Sequence, residues 1–274
     1  MMNQTTPQDV TYQQLDMMVG AARVNARVAG TGQPLVLFHS LLADNTSFDP
    51  LAALLASTHQ VIVLNLPGFG SSDPVHGSLE DVADRIGAAL QQLMLQQSPI
   101  FIGNGLGGFV ALLTAIRFPG LARKLVLADC GAVFTEPGRA AFRGMSAAVE
   151  QKGLAGIAPI AMLRLFSAEF QLANPELIAI RRERFLQTNI QTFHAACAQL
   201  AALDLRAQLP AVKVPVLVMV GEFDEATPPP MSRELAAGLP DARLKELAGC
   251  AHVPQLQEPQ RFYDEIIGFI DGQH

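Results

Sequence analysis

The sequence predicts an α/β fold: a mostly parallel central sheet with helices on both faces and an inserted helical cap. Three observations carry this. Apolar runs of strand length recur with helical stretches between them, the pattern of a parallel sheet covered on both faces. One long interval, residues 131–209, keeps the helical pattern but offers no convincing buried strand. Half of the 274 residues are hydrophobic and 16% are charged, enough apolar surface for one large core with no linker dividing it.

In chain order, Met17 to Val28 is expected to form an antiparallel hairpin at the sheet edge. Buried strands are expected at Pro34 to Phe38, Gln60 to Leu66, Pro99 to Ile102, Lys124 to Ala128 and Pro215 to Val220, each an apolar run of strand length. Helices are expected at Phe48 to Ser57, Leu79 to Leu95 and Phe109 to Phe118. A helix near Pro230 to Gly238, a strand at Ala242 to Leu247 and a helix at Pro259 to Ile270 close the chain. Residues 1–130 and 210–274 would then make the core and 131–209 the cap. Phe142, Met145, Met162, Leu163, Phe166, Phe170, Phe185 and Phe193 supply the apolar surface of the cap, mostly for packing and in part for lining a pocket.

The net charge of −6 and the scattered basic residues give no stripe for nucleic acid, and no segment reaches the roughly 20 apolar residues of a membrane span. Three cysteines, Cys130, Cys197 and Cys250, make no disulfide framework and lack the paired spacing of a zinc site. The stretch Met1 to Val10 is polar rather than basic-then-apolar, so it does not read as a secretory signal. These features lead to an expectation of a cytoplasmic protein without a metal, nucleic-acid partner or membrane contact.

Four local features bear on chemistry. Phe38-His39-Ser40-Leu41 ends a strand. Gly103-Asn104-Gly105-Leu106-Gly107-Gly108 is a strand-to-helix turn with small neighbours around its centre. Val220-Gly221-Glu222-Phe223-Asp224 leads from a strand into a turn, and Gly249-Cys250-Ala251-His252 stands near the end of the chain. Each alone has a bland reading, Asp224 as a turn former and His252 as a buried or surface histidine. All four occurring in this order makes coincidence a poor account.

Together these features resemble the α/β-hydrolase superfamily from about Val19 to Ile270. The chain order of nucleophile, acid and histidine is also that family's order. Within it, His39-Ser40-Leu41, the stretch from Cys197 to Asp204-Leu205-Arg206, and Asp224 to Pro229 are most similar to 3-oxoadipate enol-lactonases. The resemblance implies the α/β-hydrolase fold and the hydrolysis of a small ester, lactone or related carboxylic acid substrate. It also implies an acid at Asp224, a base at His252, and oxyanion donors at the Leu41 and Leu106 amides. Ser40 stands where the family usually has glycine, and His39 would shape the oxyanion loop.

The departure is Gly105, which stands at the nucleophile position and has no side chain to present. An enzyme disabled at its nucleophile but still able to hold substrate is the first expectation. The alternatives are a His252–Asp224 dyad working as a general base, in lyase, C–C hydrolase or cofactor-free oxygenase fashion, and a non-catalytic binding protein. Gly103-x-Gly105-x-x-Gly108, with Asp129 downstream, also satisfies a dinucleotide-binding spacing. At least two strand–helix units precede it, however, and that reading leaves Asp224 and His252 unexplained, so no cofactor is expected. Arg181, Arg182 and Arg184 read as a solvated helix face rather than a carboxylate site.

Overall fold

The computed structural model describes residues 10–272, and most of the Met1 to Val10 stretch lies outside it. The hairpin strands β1 (Gln13–Val19) and β2 (Ala22–Ala29) pair antiparallel, in register Met17 with Val24. They lead into β3 (Gln33–Phe38), a 3-10 turn at Asn45–Phe48, α1 (Asp49–Leu55) and β4 (His59–Leu64). Then follow α2 (Leu79–Gln91), β5 (Ile100–Asn104), α3 (Leu106–Arg117) and β6 (Lys124–Ala128). Four helices come next: α4 (Glu136–Leu165), α5 (Ala168–Ala173), α6 (Pro175–Leu186) and α7 (Ile190–Ala202). The chain closes with β7 (Val216–Gly221), α8 (Pro229–Gly238), β8 (Ala242–Leu247), the short α9 (Pro254–Gln257) and α10 (Pro259–Asp271).

The eight strands form one sheet in the order β1-β2-β4-β3-β5-β6-β7-β8, parallel from β4 through β8 and antiparallel where β2 meets β1 and β4. Strands buried on both faces read as continuous apolar runs, and alternation divides their side chains between two cores. Leu35, Leu37, Val61, Val63, Ile100 and Ile102 face α1 and α10. Val36, Phe38, Ile62, Leu64 and Phe101 face α2 and α3 on the other side. Residue composition therefore explains why both faces must carry helices.

Local chemistry sets the helix ends. Ser78 and Asp81 make a reciprocal capping box at the start of α2, and Gly272 ends α10 with φ 79°. The long α4 bends at Gly153 (φ 65°, ψ 176°), so its two halves point differently. Between β6 and β7 the described residues hold no strand, only a Val133–Asp204 bridge where the helical interval leaves and rejoins the sheet. No helix among the described residues is long and apolar enough to cross a membrane.

Candidate active site

The parallel strands all end at the same edge of the sheet, and the loops after β3, β5, β7 and β8 meet there, the place where α/β sheets present their chemistry. Asp224 lies in the turn after β7 and His252 in the loop after β8, both buried. His252 Nδ1 lies 2.9 Å from Asp224 Oδ2. Asp224 also accepts from the Ala226 amide (2.8 Å), the Thr227 amide (3.1 Å) and the Thr227 hydroxyl (2.6 Å). Burial pushes the Asp224 carboxyl up, but the His252 ring and the Thr227 hydrogen bonds outweigh it and hold the group below the usual carboxylate value. An ionised Asp224 accepts a hydrogen bond from His252 Nδ1–H, which leaves Nε2 as an acceptor on the cavity side.

Gly105 keeps the backbone of a strained elbow, φ 55° and ψ −122°, between β5 and α3. A Cβ built there would sit 2.8 Å from His252 Nε2 and 2.5 Å from Ser40 Oγ. A side chain at position 105 would therefore start directly in front of the histidine. Asn104 ties this turn to the histidine loop: its Nδ2 donates to the His252 carbonyl (2.8 Å), and its Oδ1 accepts from Gln255 Nε2 (3.1 Å).

Leu41 and Leu106 both line the cavity, Leu106 as the first residue of α3. Among the described residues neither amide donates to a protein acceptor. His39 explains how one of them is aimed. Its Nε2 accepts from the Leu66 amide (3.2 Å), so its Nδ1–H donates to the Ser40 carbonyl (2.9 Å). Because the peptide is planar and trans, fixing that carbonyl toward His39 turns the Leu41 N–H the opposite way. Complete burial lowers the His39 pKa, which favours the neutral ring that this pair of bonds requires.

Two residues acquire contacts that local reading did not reveal. Ser40, noted in the sequence only as a departure from glycine, places its Oγ 3.2 Å from His252 Nε2 across a separation of 212 residues. Asp129 ends β6 with φ 52° and accepts from the Gly221 amide at 2.8 Å. Burial, followed by the neighbouring Asp224 charge, raises its carboxyl well above the ordinary range. Asp129, Asp224 and His252 bring potential ligand atoms within 4.8 Å of one another. The Asp224 and His252 atoms are already committed to the hydrogen bonds above.

The glycine spacing has packing causes. A Cβ on Gly103 would meet the Gly107 backbone, and one on Gly108 would meet Cys130 Sγ at 2.7 Å. Asp129 faces the protein interior rather than a ribose site. The arginine cluster needs correction at one residue. Arg182 and Arg184 are exposed, but Arg181 is buried and donates to Asp44 Oδ1 (2.7 Å) and Thr46 Oγ1 (2.8 Å) in the loop after β3.

The cavity in front of these groups measures ≈ 400 Å³. Its apolar wall includes Phe109, Phe134, Phe142 and Met145, with Phe134 and Phe142 in edge contact at 4.8 Å. Of the eight helical-interval residues expected to divide between packing and lining, Phe142 and Met145 line the cavity. Phe185 and Phe193 pack on each other, Phe166 stacks on Phe170, Met162 is buried, and Leu163 is exposed.

A family model described as "Alpha/beta hydrolase family" matches residues 35–265. The chain is 31% identical over 270 residues to the pimeloyl-[acyl-carrier protein] methyl ester esterase of Shewanella woodyi, covering 88% of this chain and 95% of that protein. It is 25% identical over 240 residues to 3-oxoadipate enol-lactonase 1 of Acinetobacter baylyi, with 86% and 88% covered. It is also 28% identical over 258 residues to the polyketide synthase ThaQ of Burkholderia thailandensis. That match takes in 92% of this chain but spans only 12% of the synthase. Among solved structures, the malate-bound thermophilic esterase from Thermogutta terrifontis superposes with a TM-score of 0.85 at 26% identity, covering 95% of this chain and 98% of that one.

Proposed function

The chain belongs to the alpha/beta hydrolase family, and from that premise we propose that it is a scaffold for hydrolysing a small carboxylic ester or lactone. In this reading residues 131–209 form the cap over the cavity, His252 is the general base and Asp224 orients it. The Leu41 and Leu106 amides receive the oxyanion, and Gly105 occupies the nucleophile position. The observation that carries it is the His252–Asp224 pair at 2.9 Å, with His252 Nε2 2.8 Å from the point where a side chain on residue 105 would begin. Two of the relatives, named for ester and enol-lactone substrates, support the reaction class.

With a serine at 105, Nε2 would take its proton as the hydroxyl attacked the carbonyl, and the two amides would hold the tetrahedral oxygen. Glycine closes that route. Loss of a triad nucleophile costs about a millionfold in turnover and leaves ~10³–10⁴ over water from the remaining groups, so binding outlasts the chemistry. The test is hydrolysis of p-nitrophenyl acetate and of an enol-lactone by the chain as it stands, by Gly105→Ser, by Ser40→Gly and by Gly105→Ser with Ser40→Gly. The second change clears the Oγ that crowds a Cβ at 105. With Ser40→Gly as the background, serine at 105 should raise kcat at least ~100-fold over Ser40→Gly alone, and His252→Ala should abolish the gain. If no form, restored ones included, turns over an ester or lactone, the hydrolase reading is wrong.

A further inference from the structure

Resting on the hydrolase reading, we propose that Ser40 is the nucleophile of this chain, a triad serine carried by the loop after β3 instead of the elbow after β5. Three observations converge on it. Ser40 Oγ lies 3.2 Å from His252 Nε2, and His252 Nδ1 lies 2.9 Å from Asp224 Oδ2, the serine–histidine–acid geometry that activates a hydroxyl. The same Oγ stands 2.5 Å from where a Cβ on Gly105 would be, so it fills the space in which a nucleophile at 105 would begin. Ser40 lines the cavity, while its carbonyl is held from behind by His39 and the Ala43 amide. The backbone is thus fixed, and the hydroxyl is directed at the His252 ring.

The hydroxyl has no competing role. Among the described residues its one hydrogen-bond partner is His252 Nε2, and that nitrogen has no other. Gly105 is what permits the arrangement, because any side chain there would displace Ser40 Oγ from the ring. The amide following Ser40 is Leu41 N–H, already turned away from His39, and Leu106 N–H stands across the cavity.

In the step proposed, Ser40 Oγ forms a bond to the ester carbonyl carbon as its proton passes to His252 Nε2, and the carbonyl π pair moves onto oxygen between the two amides. Collapse breaks the bond to the leaving alcohol, which takes the proton from His252, and leaves an acyl-Ser40. Water then attacks the acyl carbon and gives a proton to Nε2. Breaking the C–Oγ bond releases the acid and returns that proton to Ser40. Ester and water thus yield acid and alcohol, and the protein is regenerated.

The experiment uses p-nitrophenyl acetate with the full chain, acid-quenched and mapped by peptide mass spectrometry, alongside steady-state rates. The chain as it stands should acetylate on the peptide holding Ser40. Ser40→Ala should lose the label and at least ~100-fold in kcat, with KM and the thermal melt little changed. Ser40→Cys should accumulate a thioester on the same peptide, which a residue serving only to orient His252 would not do. The proposal fails if Ser40→Ala keeps the parent rate, which would mean His252 activates water directly. It fails equally if the parent is inert and unlabelled while Gly105→Ser is active, an outcome that leaves the hydrolase reading standing. Inactivity of every variant, Gly105→Ser included, would defeat both.

Discussion

Two buried carboxylates lie side by side beneath His252, and their surroundings drive them in opposite directions. Asp224 has a histidine and three donors around it and is ionised. Asp129 accepts from the Gly221 amide and from Asn104 Nδ2, and burial together with the negative charge of Asp224 raises its carboxyl well above the ordinary range. The linkage signs are therefore opposite. The stability Asp224 contributes is present above the ordinary aspartate range and is lost as pH falls through its depressed folded value. The contribution of Asp129 is present below that range and is lost as pH rises toward its elevated folded value. Asp129→Asn keeps a neutral donor toward Asp224, and asparagine tolerates the left-handed backbone at this position. The variant should match the parent at and below the ordinary aspartate range and melt increasingly above it as pH rises from there. Melting curves that stay parallel across that range would contradict the assignment. The sequence pointed to Asp224 and His252 because each sits in a short motif of its own. Asp129 beside Asp224, and Ser40 against His252, are contacts made by the sheet order rather than by any local pattern.

The same distinction runs through the elements. The strands from β3 to β7 were legible to within a residue or two, because a strand buried on both faces has to be short, apolar and β-branched. The start of α3 was not. The sequence pattern begins the helix at Phe109, past two glycines of poor helix propensity, yet it begins at Leu106. Packing overrides propensity here: a Cβ on Gly107 would run into the Phe38 and His39 carbonyl groups, so glycine is what lets α3 lie against the end of β3. Leu106, the residue before Gly107, lines the cavity together with Leu41. Gly107→Ala should cost about 3 kcal/mol, the upper part of the overpacking range because the obstruction is backbone. It should also lower kcat more than it raises KM, since the loss falls on the two amides proposed to receive the oxyanion. Denaturant melts with kinetics on p-nitrophenyl acetate would check both, and a variant as stable and active as its parent would show that α3 has room to shift.

At the scale of the whole molecule, the open matter is what holds the helical interval over the sheet. Its position between β6 and β7 was legible from the missing strand signal, but its attachment was not, because the residue that anchors it looked like one of three solvated arginines. Arg181 on α6 is 4% exposed and reaches Asp44 and Thr46 on the loop that also carries Ser40 and Leu41. A guanidinium buried against a carboxylate that retains 25% exposure is stabilising only while both partners are present. Arg181→Leu should therefore destabilise the fold by about 3 kcal/mol, the lower end for breaking a buried pair, since water still reaches Asp44. Asp44→Leu alone strands the more deeply buried charge and should cost at least as much. The double variant should recover part of the loss, with a coupling on the order of 2 kcal/mol, within the range for residues in direct contact. Denaturant unfolding of the four proteins gives that coupling directly. If the single effects simply add, the Arg181–Asp44 pair does not hold the interval in place.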